Sequence, residues 1–376
     1  MLRQHEACGS NAGEVWREIA TLDAPESSYL TRLTLPVHPL GVNWTVTDGI
    51  LRKFYQHYRY SPLFPAWLEA NVRRFDAVIV HGLWNYLPFA ASRVLPHAKV
   101  PYFLFTHGMM DPWFRRTYPV KHAAKQISWS IGEGRLARGA RAVFFTSEEE
   151  RRQAGGEFFG HGYNAEVVGY GASAPPAVGR AQIDAFRSVA PALGSRRYLL
   201  FMGRIHEKKG CDILIRAFAR VAQLHPELDL VIAGPDQSGW RSVLEALAAG
   251  LGIADRIHWT GAVYGDPKWG AIYGAEAFVL PSHQENFGIA VAEALGCGTA
   301  VLISDKVNIW REISSAQAGI VSADTEKGCT EQITQWLSLP DERKKETRLA
   351  AKALFERMFN VNSTAPALIE RIREHL

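Results

Sequence analysis

The chain has few of the features that mark membrane-spanning, secreted or metal-binding proteins. No apolar run among its 376 residues approaches the ~18 residues that a transmembrane helix needs. The first 16 residues contain no apolar core of the signal-peptide kind. Four scattered cysteines, Cys8, Cys211, Cys297 and Cys329, form neither a zinc-binding spacing nor a disulfide framework. We therefore expect a cytoplasmic protein with buried, idle thiols.

A strong excess of one charge is also missing, since the net charge is only +4. With this modest basicity and no recognisable binding motif, we expect no nucleic-acid partner. No Asp-x-Asp cluster is placed to hold Mg²⁺ or Mn²⁺. We therefore expect no metal and no other cofactor.

Positive charge is concentrated at 111–141, where seven Lys or Arg side chains outnumber two acids and aromatic residues are interleaved. One interpretation is the solvated face of a helix with some buried aromatic side chains. The other is a surface at the inner face of the membrane, where it contacts anionic lipid headgroups or a phosphorylated acceptor.

Short apolar runs alternate with helix-like segments such as 61–75 and 120–139. The runs in the first half lie at 18–25, 76–82, 101–108 and 141–147. Six more follow in the second half, at 197–203, 228–234, 256–261, 276–281, 299–303 and 318–321. Alternation of strands and helices predicts parallel sheets with helices on both faces. The sequence therefore predicts an α/β protein with two Rossmann-like domains.

Composition suggests where these domains meet. A stretch rich in Ala, Pro, Ser and Gly at 174–195 predicts a linker between an N-terminal domain, 1–173, and a C-terminal domain, 196–359. The last segment, 360–376, predicts a helix that packs back on the N-terminal domain. Because parallel sheets bind ligands at the carboxyl ends of their strands, we expect the ligand in the cleft between the domains.

Residues 203–210, GRIHEKKG, follow a predicted strand and precede a predicted helix. They match neither the phosphate-binding loop pattern nor the dinucleotide fingerprint. A glycine turn at a helix N-terminus still has the chemistry of a phosphate site when Arg204, Lys208 and Lys209 lie beside it. Arg can fork onto phosphate oxygens, whereas Lys acts as a point charge. The alternative is a solvated charged turn.

The segment HQENFGIAVAEALGCG holds two acids, Glu285 and Glu293, eight positions apart. We expect Glu285 in a loop and Glu293 inside a helix that starts near Phe287. Eight helical residues span about 12 Å, so the two acids are poorly placed to act on one bond as in a glycoside hydrolase. They suit two parts of one long ligand, with the helix N-terminus at Phe287, Gly288 and Ile289 facing a diphosphate. Glu293 is then either solvent-facing or paired, because an unpaired buried Glu is costly.

Several segments resemble the family-4 retaining glycosyltransferases in order and spacing. They are ENFGIAVAE (285–293), FMGRIHEKKGCDILIRAF (201–218) and LVIAGPD (230–236). In the first half, VIVHGLWNY (78–86) and PYFLFTHGMMDPW (101–113) are similar to family members that build exopolysaccharide or lipopolysaccharide chains. The resemblance covers roughly residues 60–360.

The resemblance implies a GT-B fold, in which a sugar passes from a nucleotide-diphosphate-sugar donor to a glycan or lipid-linked acceptor. It also implies retention of configuration without a metal. By this resemblance Arg204 and Lys209 bind the diphosphate, Glu285 binds donor-sugar hydroxyls and Glu293 binds ribose. The further donor-binding positions are Gly203, Asn286, Phe287, Gly288 and Ile289.

On the acceptor side, the resemblance gives roles to three residues of the first half. His107 matches a histidine that reaches the transferring sugar, and His81 and Trp84 lie near the acceptor. Each of these three could instead be a packing residue.

The start of the chain departs from the family pattern. We find no strand before Gly9 and no paired glycines, so 18–25 counts as the second strand and the first is expected to be missing or degraded. Tyr170 also stands where Asn is common. The alternative function is therefore a catalytically impaired donor-binding or scaffold homologue. An epimerase or phosphorylase on the same fold is disfavoured by the spacing of Glu285 and Glu293.

Overall fold

The computed structural model describes residues 15–43 and 58–376, which form two compact units. The first unit comprises the described residues up to Gly169 together with Thr364–Leu376, and the second unit is Tyr170–Ser363. The stretch 174–195, predicted as a linker, lies within the second unit and contains a helix of ten residues.

The described residues of the first unit form two parallel sheets. One pairs β1 (Ile19–Thr21) with β2 (Val37–Pro39), and the other has the order β3 (Val78–His81), β4 (Tyr102–Phe105), β5 (Ala142–Phe145) and β6 (Ala165–Val167). The strands predicted at 18–25, 76–82, 101–108 and 141–147 are confirmed. The three-residue strands β2 and β6 carry too little pattern to be predicted.

The first unit has six helices before its chain passes to the second unit, counted over the described residues. They are α1 (Leu63–Asn71), α2 (Tyr86–Ala98), α3 (Trp113–Thr117), α4 (Pro119–Ser128), α5 (Gly134–Gly139) and α6 (Glu148–Ala154). The helix predicted at 120–139 is interrupted, since a π-helical turn, Trp129–Glu133, separates α4 from α5. At this turn a Cβ on Gly132 would lie 2.6 Å from the ring of Phe89, so glycine permits the close approach.

Side chains alternate between the two faces of the four-stranded sheet. Phe103, Phe105 and Phe144 pack together on one face, and Leu104 and Phe145 belong to the core on the other. All five side chains are almost completely buried. Burial on both faces explains why these strands appear in the sequence as continuous apolar runs rather than alternating ones.

The expected loss of a first strand falls on residues 1–14, which lie outside the described residues. Within the described part of the chain, β1 pairs only with β2 and β3 pairs only with β4. A cavity of about 140 Å³ lies against Ala20 of β1 and Val78 and Val80 of β3.

The second unit contains one six-stranded parallel sheet. Its strands are β7 (Arg197–Met202), β8 (Leu228–Ala233), β9 (Ile257–Gly261), β10 (Ala277–Leu280), β11 (Val301–Ser304) and β12 (Gly319–Ser322). All six were predicted, and all pair in parallel in the order β9-β8-β7-β10-β11-β12. This order reverses direction between β7 and β10, which is the switch point where Rossmann-like sheets bind their ligands.

Helices cover both faces of this sheet. They are α7 (Arg180–Val189), α8 (Cys211–Ala222), α9 (Arg241–Gly250), α10 (Gly265–Tyr273), α11 (Ile289–Gly296), α12 (Trp310–Ser315), α13 (Glu326–Ser338) and α14 (Asp341–Leu354). The last helix, α15 (Val361–Arg373), begins in the second unit and continues into the first. There Leu368 packs with Phe103 and Phe144. No helix in the described ranges is both long and apolar enough to cross a membrane.

Candidate active site

Two loops of the second unit flank its switch point, one after β7 and one after β10. The His283 amide donates to the carbonyl oxygen of Lys208 over 2.9 Å and so ties the loops together. Gly210, at φ +67°, brings them close, because a Cβ there would lie 2.2 Å from the carbonyl oxygen of Pro281. The predicted phosphate loop and the predicted sugar loop therefore form one surface.

Arg204 lies at the exposed end of the first loop. Its Nη1 is 3.5 Å from Oε1 of Gln237, a weak contact that leaves the guanidinium able to bind a ligand. The backbone beneath it is tightly packed, since a Cβ on Gly234 would lie 1.7 Å from the carbonyl oxygen of Gly203. Glycine at 234 is thus required for the approach of the loops that follow β7 and β8.

Lys209 and Glu285 meet at the centre of this surface. Nζ of Lys209 forms an ion pair with Oε2 of Glu285, and both side chains are largely shielded from solvent. The family resemblance predicts that they bind neighbouring parts of one ligand, a diphosphate and the sugar attached to it. Their contact joins a cation and a carboxylate that are 76 positions apart in the chain.

The loop that carries Glu285 is held in place by the backbone. The Glu285 amide donates to the carbonyl oxygen of Lys306 over 3.0 Å, and the Asn308 amide donates to the carbonyl oxygen of Glu285 over 2.9 Å. The side chain of Asn308 also donates to Oδ1 of Asn286 over 3.2 Å. The chain after β11 therefore fixes the position of Glu285, a feature that no motif in the sequence reveals.

Helix α11 starts immediately after this loop, at Ile289 rather than near Phe287 as predicted. Gly288 precedes it at φ +71°, a left-handed conformation that favours glycine. The Phe287 side chain is buried between the rings of Tyr170 and Phe359, at centroid distances of 5.1 and 5.5 Å. Only the backbone of Phe287 is therefore suited to contact a ligand. The amides of Val291 and Ala292 donate to the carbonyl oxygen of Gly288, so the amides of Ile289 and Ala290 are the ones that can bind an anion.

Glu293 lies on α11 and is only 8% exposed, so it does not face solvent. Its Oε1 accepts from Nζ of Lys268 on α10 over 2.8 Å. Nζ of Lys268 also lies 3.8 Å from the ring centroid of Trp269. The partner expected for a buried Glu293 is thus Lys268, which the sequence analysis did not identify. A single lysine in the segment GDPKWGAIY carries no pattern that points to this role.

In the first unit, the ends of β3 and β4 bring His81 and His107 together. Nδ1 of His81 lies 3.1 Å from Nε2 of His107, and both rings stack near Phe105. His107 has a φ of +50° and is followed by Gly108 at +73°. A non-glycine residue in this region carries backbone strain, which is common at functional sites.

Trp84 follows β3 and also has a left-handed backbone, at φ +65°. Its indole Nε1 donates to the carbonyl oxygen of Met109 over 3.1 Å. Nζ of Lys125 lies 5.1 Å from the Trp84 ring. Trp84 thus packs against the same turn that carries His107, and the three first-unit residues singled out from the sequence occupy one edge of the sheet.

Glu150 of α6 supports the His107 turn and was missed in the sequence analysis. Its buried carboxylate accepts from Thr106 Oγ1 over 2.8 Å, from the Gly108 amide, and from the amide and hydroxyl of Thr146 over 2.7 Å each. These bonds link the ends of β4 and β5 on either side of His107. The three consecutive acids of TSEEE gave no signal, because acids at the start of a helix commonly interact with its dipole.

Among residues 15–43 and 58–376, no group of three or more His, Cys, Asp or Glu side chains is arranged to hold a metal ion. Cys211 and Cys329 are buried and Cys297 is partly buried, and burial raises the pKa of each thiol to about 12. These three cysteines are poor nucleophiles and metal ligands at neutral pH.

Two family models match the chain. One describes group 1 glycosyl transferases and matches residues 182–353, and the other describes a glycosyl transferase 4-like domain and matches residues 13–171. They meet near the boundary between the two units.

Curated relatives match over shorter stretches. An uncharacterized glycosyltransferase of Methanocaldococcus jannaschii is 33% identical over 135 residues, 36% of this chain and 34% of its own length. D-inositol 3-phosphate glycosyltransferase of Actinosynnema mirum is 38% identical over 111 residues, 28% of this chain and 27% of its own length. The chain spans only about a third of the length of these relatives.

The fold is similar to solved structures over almost the whole chain. Anabaena HepE in complex with UDP and glucose superposes with a TM-score of 0.72 at 17% identity, over 96% of this chain and 92% of that one. At this identity the likeness concerns the fold alone. The two family models and the fold agree, since each half of the chain is similar to one domain of a GT-B glycosyltransferase.

Proposed function

We propose that the protein is a retaining, metal-independent glycosyltransferase that moves a sugar from a nucleotide-diphosphate-sugar donor to a glycan or lipid-linked acceptor in surface polysaccharide synthesis. The observation that carries the proposal is the pairing of Lys209 with Glu285 at the switch point of the second unit. The HepE structure contains UDP and glucose, which makes nucleotide sugars the first class of donor to test.

In this proposal the cations act on the leaving group. Cleavage of the sugar–phosphate bond places negative charge on the diphosphate. Arg204, Lys209 and the first amides of α11 stabilise that charge without a metal, because they are fixed before the reaction begins. Glu285 holds hydroxyls of the transferring sugar, and its charge offsets the positive charge that develops at the anomeric carbon.

Glu293 and the first unit complete the proposed assignments. Glu293, held by Lys268, binds the ribose hydroxyls through the carboxylate oxygen that Lys268 leaves available. His107 reaches the transferring sugar, and His81 and Trp84 lie on the acceptor side. We assign no separate protein base, since the leaving phosphate can take the proton of the acceptor hydroxyl on the same face.

The proposed cellular place is the cytoplasmic side of a membrane, through the basic stretch 111–141. On and beside α4 the apolar side chains of Val120, Ile127 and Ile131 are 83%, 65% and 47% exposed, and Lys121 is also exposed. Apolar and basic side chains exposed on one surface are typical of helices that lie on anionic lipid. This surface would bring the protein to a lipid-linked acceptor.

The test is a panel of nucleotide sugars, read by thermal shift and by release of nucleoside diphosphate. We expect one donor to stabilise the protein against unfolding. That donor should be hydrolysed slowly by water alone and should react faster when an extract that contains the acceptor is added. Glu285→Gln should lower turnover at least 100-fold, because one electrostatic contact at a reacting centre contributes about 10²–10³. The control is Glu245→Gln, which changes an exposed acid paired with Arg241. No response to any donor would contradict the proposal.

The same panel separates the alternative of an impaired homologue. A protein that only binds donors would give a thermal shift with one nucleotide sugar but no release of nucleoside diphosphate under any condition. Release that disappears in Glu285→Gln and persists in Glu245→Gln would exclude that alternative.

A further inference from the structure

Another cavity, of about 670 Å³, lies in the second unit at the amino ends of the strands, on the side of the sheet away from the candidate donor loops. Arg197, the first residue of β7, and Glu276, which directly precedes β10, lie in its wall. The candidate donor loops follow the carboxyl ends of these same strands, whereas this cavity lies at their amino ends. The two sites are therefore separated by the length of strands β7 and β10.

Positive charge dominates the wall of this cavity. Five cations, Arg197, Lys344, Lys345, Arg348 and Lys352, line it together with two acids. One acid, Asp341, is exposed at the start of α14. The other, Glu276, is already bound within the protein and so does not neutralise the rest.

Glu276 is surrounded by its own donors. Its carboxylate lies 3.0 Å from Nη2 of Arg197 and 3.4 Å from Nζ of Lys344, and it accepts from Nε1 of Trp336 over 3.1 Å. Burial by itself would raise the pKa of Glu276, but Arg197, Lys344 and Arg348 outweigh this and hold the pKa below its ordinary value. Glu276 therefore stays ionised, and its charge is balanced by Arg197 and Lys344, which are less available to a ligand.

Three further cations lie on one face of α14, and one of them, Lys345, has an exposed partner, because its Nζ lies 3.8 Å from Oε1 of Glu342. Lys345, Arg348 and Lys352 are spaced i, i+3 and i+7, so they lie above one another along the helix. Nη2 of Arg348 donates to the carbonyl oxygen of Glu276 over 3.0 Å, but its buried Nε has no acceptor among the described residues. Lys352 forms no ion pair within the described ranges. Like charges at this spacing destabilise a helix unless an anion lies between them.

We propose that this cavity binds a phosphorylated small molecule, separately from the donor site. A guanidinium and two flanking ammonium groups are the donors that phosphate oxygens require. The volume is within the range of about 300–1,000 Å³ for small-ligand sites. The Arg348 contact to the backbone before β10 fixes the guanidinium at the cavity wall. This inference does not depend on the proposed glycosyltransferase activity.

Titration calorimetry of the full chain with pyrophosphate tests the proposal. Because pyrophosphate can also bind the candidate donor site, the titration is made in an Arg204→Ala/Lys209→Ala background. We expect binding to persist there and to weaken at least tenfold when Lys345→Ala/Lys352→Ala is added. Arg343→Ala, on the same helix but paired with Glu346 outside the cavity, is the matched control and should leave affinity unchanged.

Three results of the titration would overturn the proposal. These are loss of all pyrophosphate binding in the donor-site background, equal binding with and without Lys345 and Lys352, and an equal loss in the Arg343 control. Sedimentation with phosphatidylglycerol vesicles distinguishes a lipid source of phosphate. Vesicle binding that depends on Lys345 and Lys352, without binding of pyrophosphate, would also overturn it. Circular dichroism of each variant shows whether the fold is retained.

Discussion

At the scale of single residues, each acid of the candidate donor site has its own cation. Glu285 pairs with Lys209, and Glu293 pairs with Lys268. The separation of eight positions therefore does not bring the acids to one point but gives each a separate lysine. This agrees with two contacts to one long ligand and with the geometric argument against a paired acid and base.

Replacement of Lys268 by alanine should destabilise the second unit. The change leaves Glu293 buried without a partner, and removal of one member of a buried pair costs about 3–5 kcal/mol of unfolding free energy. Urea unfolding measures this. Lys327→Ala, which removes an exposed i, i+4 pair with Glu331, should cost less than about 0.5 kcal/mol. Equal effects of the two changes would show that Glu293 is not held by Lys268.

Replacement of Glu150 by glutamine tests the support of the His107 turn. The amide group of glutamine would place a donor where the carboxylate accepts from Thr106, Gly108 and Thr146, so one buried donor loses its acceptor. We expect a loss of about 1–3 kcal/mol of stability and reduced turnover with little change in donor affinity. Glu148→Gln, at an exposed position of α6, is the control. Unchanged turnover in Glu150→Gln would show that Glu150 does not support the active conformation of the His107 turn.

The sequence motifs predict four acids and cations as ligand-binding residues, namely Arg204, Lys209, Glu285 and Glu293. They missed Lys268 and Glu150, because each acts through a residue far away in the chain and neither lies in a distinctive pattern. Local sequence shows which groups can bind a ligand. It does not show which buried groups hold them in position, since those contacts exist only after the sheets form.

At the scale of elements, Asp229 connects three strands of the second unit at their amino ends. Its carboxylate lies 2.8 Å from Nε of Arg196, from Nε of Arg256 and from Nε2 of His258. Arg196 precedes β7, Asp229 lies in β8, and His258 lies in β9. One buried acid therefore holds this half of the sheet together.

Asp229 makes the stability of the second unit dependent on pH. Burial acts to raise its pKa, but hydrogen bonds from Arg196, His258 and Arg256 outweigh it and lower the pKa in the folded state. Because the folded pKa is below the unfolded one, the stabilisation is present above pH ~4 and is lost as pH falls through the folded pKa.

We therefore expect the unfolding free energy to decrease as pH is lowered below about 4, with a flatter dependence in Asp229→Asn. Urea unfolding at a series of pH values, followed by tryptophan fluorescence, measures both slopes. Asp184→Asn, at an exposed position of α7, should retain the slope of the unmodified chain. Identical slopes for all three proteins would assign the acid sensitivity to other groups.

The contact between α7 and α10 gives a further prediction. A Cβ at Gly270 would lie 1.9 Å from the carbonyl oxygen of Gln182, so Gly270→Ala must separate the two helices. We expect a loss of about 1–3 kcal/mol. Gly250→Ala, in α9 with no atom within 4 Å of the added methyl, should instead stabilise by up to about 1 kcal/mol. Thermal unfolding compares them, and a neutral Gly270→Ala would mean that α7 is loosely attached.

Strands were easier to predict than the boundary between the units. Buried parallel strands leave continuous apolar runs such as RYLLFM and LDLVIA, and all six in the second unit were found. The stretch 174–195 resembles a linker by composition, yet α7 packs there on α10. The order of the strands also could not be obtained from the sequence, because pairing depends on contacts between distant segments.

At the scale of the whole molecule, the candidate functional residues are distributed over two units, each built on parallel sheets. The second unit carries the cations and acids assigned to the donor, at the switch point of a six-stranded sheet. The first unit carries His81, Trp84 and His107 at the carboxyl edge of its own sheet. In both units the candidate functional positions lie at the carboxyl ends of parallel strands.

We propose above all that Lys209 binds the diphosphate of the donor and that Glu285 binds its sugar. Calorimetry with two ligands tests this most directly. The ligands are the nucleotide sugar selected from the panel and the nucleoside diphosphate that it releases. We expect Lys209→Ala to weaken both ligands at least tenfold. Glu285→Gln should weaken only the nucleotide sugar and leave the diphosphate unchanged or tighter. Equal weakening of both ligands by Glu285→Gln, or of neither, would contradict the assignment of Glu285 to the sugar.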